Sequence, residues 1–504
     1  VRSKKAKVDG LDLKKARLSV DIRARNGMQP GEAVLPLRFS RGELMSLDQA
    51  ARVHELAKRI LQTVGMEVYH AGAVRQLQQG GLRVQGNRVF FEPAVVDEYV
   101  AEMRRWIASR PASPAAPDDG RLTLSVSSYS LYVHDIEADR VVPYTADRLI
   151  EMCKLMDTLA DEGVYGTPPG IPTEEPPDLQ PIAQYRIAAL CARQGASPVD
   201  PTSAKTVNHL LDMAEVMGRP IRSLPVYIPT PLRLGGESLD VVLACVDRLS
   251  HISVSSMPST GASAPIHPFG ALALAAAEVI GGMIAVRILT GKPATFGANI
   301  FPFDLRAGAM VFGSPENMLF QMLCADFNRF YGWTREGVPN NIHVMSKLPD
   351  TQSAADKAAI MAVGAFLGAR HFSCAGTLSL DEVFSPEQLL LDCEIRDWAQ
   401  RAIQGVWLGE EAVSDWLAEI QAGVQRGFMG LDSTLDHYLS HTWYPRRFQR
   451  GAIGPWLTAG QPHLSERLRN EVRQRIAAHD FELDAERRRE VERIYQAARK
   501  AVGG

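Results

Sequence analysis

Ile252–Ala262 reads ISVSSMPSTGA, Ala271–Gly291 reads ALALAAAEVIGGMIAVRILTG, and Pro293–Ile300 reads PATFGANI. A short apolar run ending in hydroxyl residues, a long apolar helix and a second short run spell strand, helix, strand. Strands joined through a helix pair in parallel, with a right-handed crossover. The unit recurs. GVYGTPPG, ASPVDP, LPVYIPTP, NNIHVMS and RHFSCAGT supply further strands between Gly163 and Thr377. Helical stretches such as SAKTVNHLLDMAEVM, ESLDVVLACVDRL, ENMLFQMLCADFNRFY and SAADKAAIMAVGAFLG separate them. Seven strands over roughly 250 residues fit an α/β fold of the TIM-type (β/α)8 barrel. A doubly wound sheet is the alternative, but no GxGxxG follows a strand and opens a helix.

Outward from this core, LMSLDQAARVHELAKRILQTV (Leu44–Val64) has helical periodicity and Gly65 as its stop. GLRVQGNRVFFEP turns on Gly86-Asn87 as a hairpin, VVDEYVAEMRRWI reads as a helix, and LTLSVSSYSLYVHD is a further β element. ASRPASPAAPDDG (Ala108–Gly120) is a linker by composition. The expected organisation is a mobile tail over 1–39, an N-terminal helical and β-hairpin region over 40–144, the barrel over 145–410, and C-terminal helices over 411–504.

The 504 residues carry 55 Lys and Arg against 58 Asp and Glu, a balance that leaves no basic footprint for nucleic acid and no polybasic membrane anchor. Six cysteines stand singly, without CxxC spacing, which argues against a zinc site or a disulfide framework and for a reduced, cytoplasmic protein. The basic N-terminal stretch lacks the apolar core of a signal peptide. The Ala271–Gly291 run is nearly of membrane length, but Glu278, Arg287 and Gly281-Gly282 interrupt it, so a buried helix is expected.

Barrel active sites lie at the carboxyl ends of the strands. That rule nominates Thr167, Pro198, Asp200, Pro229, Thr230, Ser256, Ser259, Thr260, Asn299, Asn340, Asn341, His343, Ser373 and Thr377. These are mainly hydroxyls and amides. They include no metal-ligand cluster, nucleophile elbow or phosphate loop, so the set suits a reaction whose nucleophile comes from outside the chain.

SMPSTGASAPI (Ser256–Ile266), AAAEVIGG, FGSPENMLF, SKLPDTQ (Ser346–Gln352) and FMGLDSTLDHYLSHTWYPRRF (Phe428–Phe448) resemble the trimethylamine methyltransferase family, as does VHELAKRILQTVGMEVYHAGAVRQLQQGGLRV near the start. The likeness runs in order from about Ser40 to Gln449. It implies a barrel enzyme that moves a methyl group from a quaternary or tertiary methylamine, such as a betaine, to Co(I) of a corrinoid (cobalamin) carried by a partner protein. No protein-bound metal is implied. The residues are all standard, which resembles the pyrrolysine-free branch that includes glycine betaine:corrinoid methyltransferases. The alternative from another class is a barrel that binds a methylamine or corrinoid without turnover. A homo-oligomer is expected; nucleic acid and membrane are not expected as partners.

Such a substrate calls for aromatic or acidic groups around an ammonium and donors for any carboxylate. Candidates for substrate contact are His343, Asn340, Asn341, Phe301, Phe303, Phe372, Tyr129 and Asn299, with Ser259, Thr260 and Gly261 for the corrinoid. Tyr132, Tyr165, Phe296 and Trp333 are further aromatic candidates, and Glu174, Glu175 and Asp178 the nearby acids. Each has a structural reading beside the functional one: His343 closing a buried hydrogen bond, aromatics in the core, the serine-rich loop turning on Gly261. Asp350 reads as the N-cap of the SAADKAA helix. The NNIHV stretch departs from the glycine-rich run of the family and is the expected substrate determinant.

Overall fold

The computed structural model describes residues 37–110, 121–197, 199–334, 337–406 and 413–503. The body of the N-terminal tail, most of the proline-rich linker, and Pro198 lie outside them. The chain divides into a large unit, Leu37–Ile403 with Pro445–Gly504, and a small one that includes Gln404–Tyr444.

In the large unit, α1 (Leu47–Thr63) starts at Ser46, whose side chain and that of Gln49 cap each other's backbone. Next come β1 (Met66–Val68), α2 (Ala71–Gln79), and the expected hairpin, β2 (Arg83–Gln85) with β3 (Arg88–Phe90), which turns on a left-handed Gly86. Then follow α3 (Pro93–Ser109), β4 (Thr123–Ser125), the hairpin of β5 (Tyr132–Asp135) and β6 (Arg140–Pro143), α4 (Ala146–Leu159), β7 (Val164–Tyr165), α5 (Gln180–Cys191) and α6 (Val207–Val216). The chain continues through β8 (Ser223–Ile228), β9 (Arg233–Leu234), α7 (Glu237–Ala244), β10 (His251–Ser256), α8 (Pro268–Thr290) and β11 (Ala294–Phe296). A small hairpin, β12 (Phe303–Asp304) and β13 (Ala309–Met310), leads to α9 (Pro315–Asn328), α10 (Thr351–Phe366) and β14 (His371–Ser373). β15 (Thr377–Leu378) and β16 (Val383–Phe384) precede α11 (Pro386–Ile403). The small unit contains α12 (Val413–Arg426) and α13 (Asp432–His441). The chain closes in the large unit with α14 (Ile453–Thr458), α15 (Leu464–Ala477) and α16 (Ala485–Gly503).

The fold is mixed α/β, and its central strands form two parallel ladders. In one, β10 lies between β8 and β11. In the other, β4 lies between β7 and β14. The strand at Thr123–Ser125 therefore belongs with the strands that the sequence pattern places after residue 145. Two expected strands are reduced to isolated contacts. ASPVDP gives the Ser197 amide to the Thr167 carbonyl, and NNIHVMS gives a parallel bridge between Asn341 and Ser373. Proline explains the shortness: it donates no backbone hydrogen bond, and Pro198, Pro201 and Pro339 sit at these places.

Each ladder has a helix-facing side. Leu224, Val226, Ile228, Ile252 and Val254 are buried, and α8 lies close enough that a Cβ on Gly282 would stand 2.6 Å from Ile228 Cδ1. This close seat explains α8: it is long and apolar enough to cross a membrane, yet Ala271 to Ala273 and Ala275 to Val286 are buried in protein. On the other ladder Phe372 faces α10, where a Gly364 Cβ would meet its ring at 2.8 Å. The opposite side, here called the inner face, carries Thr123, Ser125, Tyr165, Tyr227, Ser253, Ser255, His371 and Ser373 by the two-residue alternation.

Candidate active site on the inner face

Parallel register places inner-face residues in rows. Tyr165 pairs with Ser125, Ser125 with Ser373, and Ser373 with Asn341. On the other ladder Tyr227 pairs with Ser255. The rows carry hydroxyls and amides with no lysine or arginine.

At the carboxyl ends of the strands, Tyr129 and Tyr227 both donate their phenol hydrogens to the same oxygen of Asp200, each at 2.5 Å, and the two phenol oxygens are 3.4 Å apart. Burial, and then the carboxylate, push both phenols above their usual range, so they stay protonated as donors. Both side chains remain accessible, at 45% and 41% exposure. The result is one carboxylate oxygen held by the hydroxyls of two accessible tyrosines, an arrangement suited to a small organic cation. Of the residues predicted for substrate contact, Tyr129 alone belongs to this cluster. Asp200 is a strand-end candidate from sequence, but Tyr227 was not singled out. Its signal was the alternation in SLPVYI, which sets Tyr227 opposite the buried Val226 and Ile228.

A cavity of about 400 Å³ lies where β11 and the 340–341 segment fail to pair. Four of the residues expected to contact substrate, Asn299, Phe301, Asn340 and Asn341, line it, together with Phe296, Phe312, Asn317, Gln321, Asn328 and Trp333. Two amides of α9, seven residues apart and so on one face of the helix, close the exposed strand edges. Asn328 accepts from the Ala298 amide at 2.9 Å and donates to the Ala298 carbonyl at 2.8 Å. Gln321 accepts from the amides of Asn340 (3.2 Å) and Asn341 (3.1 Å) and donates to the Asn341 carbonyl at 3.3 Å. Trp333 Nε1 donates to the Phe296 carbonyl. Buried backbone groups that lack a neighbouring strand need such partners.

Other predicted contacts have different roles. His343 stands behind the cavity, edge-on to Phe312, with Nδ1 donating to Asn341 Oδ1. Burial, aided by Lys357, lowers its pKa to about 3, so it is neutral at physiological pH. Phe372 faces away from the inner surface, because the strand alternation turns it into the α10 contact, and it is fully buried. Phe303 lies in the β12–β13 hairpin, outside the cavity lining. Ser259, Thr260 and Gly261 form a turn with internal hydrogen bonds: the Ser259 amide donates to Ser263 Oγ, and the Thr260 amide and hydroxyl both donate to the Phe301 carbonyl. Gly261 has a left-handed φ of 83°. The loop thereby positions Phe301, a cavity wall. The acids also have local work, Glu174 accepting from the Ala146 amide and Glu175 from the Tyr495 hydroxyl. Asp350 caps α10, as expected.

No group of three or more His, Cys, Asp or Glu side chains suited to a metal occurs among the described residues. The site has an anionic, aromatic end and a neutral, amide-rich cavity. Residues 21–504 match the family model described as trimethylamine methyltransferase (MTTB).

The chain belongs to the trimethylamine methyltransferase family.

The trimethylamine methyltransferase MttB of Methanosarcina barkeri is 29% identical over 301 residues, which cover 58% of this chain and 59% of that relative's length. The glycine betaine methyltransferase of Desulfitobacterium hafniense strain Y51 is 22% identical over 430 residues, 82% of this chain and 88% of that one. Among solved structures, the monomethylamine methyltransferase MtmB of Methanosarcina barkeri is similar with a TM-score of 0.40 and 10% identity, over 87% of this chain and 89% of that one. Within the family, this chain has Asn340-Asn341 at the entrance to its SKLPDTQ motif.

Proposed function

We propose that this chain is a cytoplasmic, pyrrolysine-independent methyltransferase that delivers a methyl group from a quaternary or tertiary methylamine, betaines included, to a corrinoid on a partner protein. The Asp200 carboxylate held by the Tyr129 and Tyr227 hydroxyls is the observation that carries this reading. A quaternary ammonium has no N–H to donate, so it is held by charge and ring faces, and the accessible phenol pair supplies both. A corrinoid bound at the carboxyl ends of the strands would supply Co(I) as nucleophile. The residues fit that role because Tyr129, Tyr165 and Tyr227 leave the inner face open to a large reagent. Loss of a methyl from a quaternary nitrogen leaves a neutral amine, so the chain need provide no proton donor. The protonated phenols and neutral His343 accord with binding and orientation.

We also propose that the two ladders close into a (β/α)8 barrel. In cyclic order the strands are β4, β7, the segment at Ser197, β8, β10, β11, the segment at Asn341 and β14, which pairs back to β4. The β4–β7–β14 pairings, the Thr167–Ser197 hydrogen bond and the Asn341–Ser373 bridge support the order. The α9 amides fill the β11–Asn341 gap. On this reading the barrel starts at Thr123, with 40–110 as the N-terminal extension and C-terminal helices beyond α11. The six free, buried cysteines support a reducing compartment.

The test is incubation of the purified chain with trimethylamine, choline and a panel of betaines in the presence of Co(I) cobalamin. Loss of the Co(I) absorbance together with demethylated amine is expected. Saturable amine binding without product would favour the binding-only alternative, and neither signal across the panel would overturn both.

A further inference from the structure

Strand register leads from the inner-face tyrosines to the amide cavity. The row from Tyr165 through Ser125 and Ser373 ends at Asn341, which lines the cavity. On the other ladder Phe296 pairs with Val254, so one residue further along Gly297, also in the lining, comes level with Ser255, the partner of Tyr227. Tyr227 in turn reaches Asp200. A ligand held at Asp200 therefore has the inner face as its path to the amides.

Every described residue of the cavity lining is uncharged. Gln321 and Asn328 spend their amides on the strand edges, but other polar atoms remain available. Asn341 Oδ1 accepts from the His343 amide (3.1 Å) and from Nδ1 (2.5 Å), which fixes the carboxamide and leaves its Nδ2 uncommitted. Asn299 makes only a 3.5 Å contact with the Gly297 carbonyl through Nδ2. The phenyl rings of Phe301 and Phe312, 5.6 Å apart, give the remaining wall. A hydroxyl or carboxamide would find both donors and acceptors there. A carboxylate would lose its hydration with no described cation in the lining to offset the loss. At about 30 Å³ for one water, a cavity of about 400 Å³ holds a tail of several atoms.

We propose that the substrate carries, besides its methylated ammonium on Tyr129, Asp200 and Tyr227, an uncharged hydrogen-bonding tail that enters the amide cavity. This rests on the ammonium reading given above and narrows it. Within the quaternary amines it favours alcohols and amides over the carboxylates of betaines.

Calorimetric titration of the full chain with tetramethylammonium, choline, glycine betaine amide and glycine betaine tests it. Choline and the amide are expected to bind about tenfold tighter than tetramethylammonium, the worth of roughly one good hydrogen bond, and glycine betaine no tighter than tetramethylammonium. Asn299→Ala, which removes only the weak Gly297 contact from the fold, should erase most of that tenfold gain and leave tetramethylammonium binding as it was. Asp200→Asn should weaken all four probes. Equal affinity for all four, or tightest binding of glycine betaine, would overturn the tail assignment while the ammonium reading stood. Failure of every probe to bind, or indifference of all four to Asp200→Asn, would overturn the ammonium reading and the tail with it.

Discussion

His343 Nδ1 lies 2.5 Å from Oδ1 of Asn341, the residue that joins the inner-face row to the amide cavity. The histidine thus acts through the asparagine. Its Nε2 is buried without a hydrogen-bond partner, as suits a neutral ring whose only N–H is spent on Asn341.

That neutrality has a pH signature. Burial lowers the folded pKa from 6.5 to about 3, so between these values the unfolded chain binds a proton that the folded chain refuses. The stability cost is absent above about pH 6.5 and grows as pH falls toward about 3. Lowering pH from about 6.5 to about 5 should cost wild type about 2 kcal/mol more than His343→Leu, from 1.36 kcal/mol per unit. Urea unfolding at the two pH values measures this, and a wild-type-to-variant difference that does not change with pH would refute it.

Tyr227 offers a ring and a hydroxyl, and the two can be separated. Tyr227→Phe keeps the ring face and removes one donor to Asp200, for an expected rise in amine KM of about threefold. Tyr227→Ala removes both, for about thirtyfold, near the upper range of a desolvated cation–π contact. Steady-state methyl transfer should show kcat moving less than KM. Equal effects of the two substitutions would mean that the ring does not face the amine.

Lys357 and Asp392 form an ion pair at 2.7 Å with both side chains wholly buried. Asp392 also accepts from the Gly376 amide and from Gln388, and so holds the turn that follows β14. Lys357→Met strands the carboxylate and should cost about 3–5 kcal/mol in chemical denaturation. Replacing Asp392 with Leu in the same chain should recover part of the loss. A single-variant loss below about 1 kcal/mol would show the pair to be dispensable.

Gly364 is the point where α10 passes the Pro339 carbonyl, 2.1 Å from where a Cβ would stand. Gly364→Ala must displace the backbone leading into Asn340 and Asn341. A destabilisation of about 1–3 kcal/mol is expected, with weaker amine binding than a similarly destabilised variant away from the cavity, such as Gly281→Ala, whose Cβ would meet Leu61 of α1. Equal binding in the two variants would separate the helix contact from the site.

Several site features were readable from residue type and spacing. Asn299, Phe301, Asn340 and Asn341 were nominated as strand-end or loop residues and do meet at one cavity. Asp350 was legible as a cap because capping is local, needing only the next turn of helix. Phe372 was misassigned because a two-residue period gives two faces without saying which is inner. Only the seat of α10 against Gly364 makes that choice. Thr260 looked free for a ligand because its partner, the Phe301 carbonyl, lies some forty residues on.

The sequence by itself determined the alternation of short strands and helices, the family, and a site poor in ionisable chemistry, since these follow from local periodicity, motif order and composition. Tertiary structure alone decided that β4 joins the central ladder, that Gln321 and Asn328 cover the unpaired strand edges, and that Tyr129 and Tyr227 share one oxygen of Asp200. Those relations join residues 20 to 248 positions apart, and packing, rather than local preference, sets them.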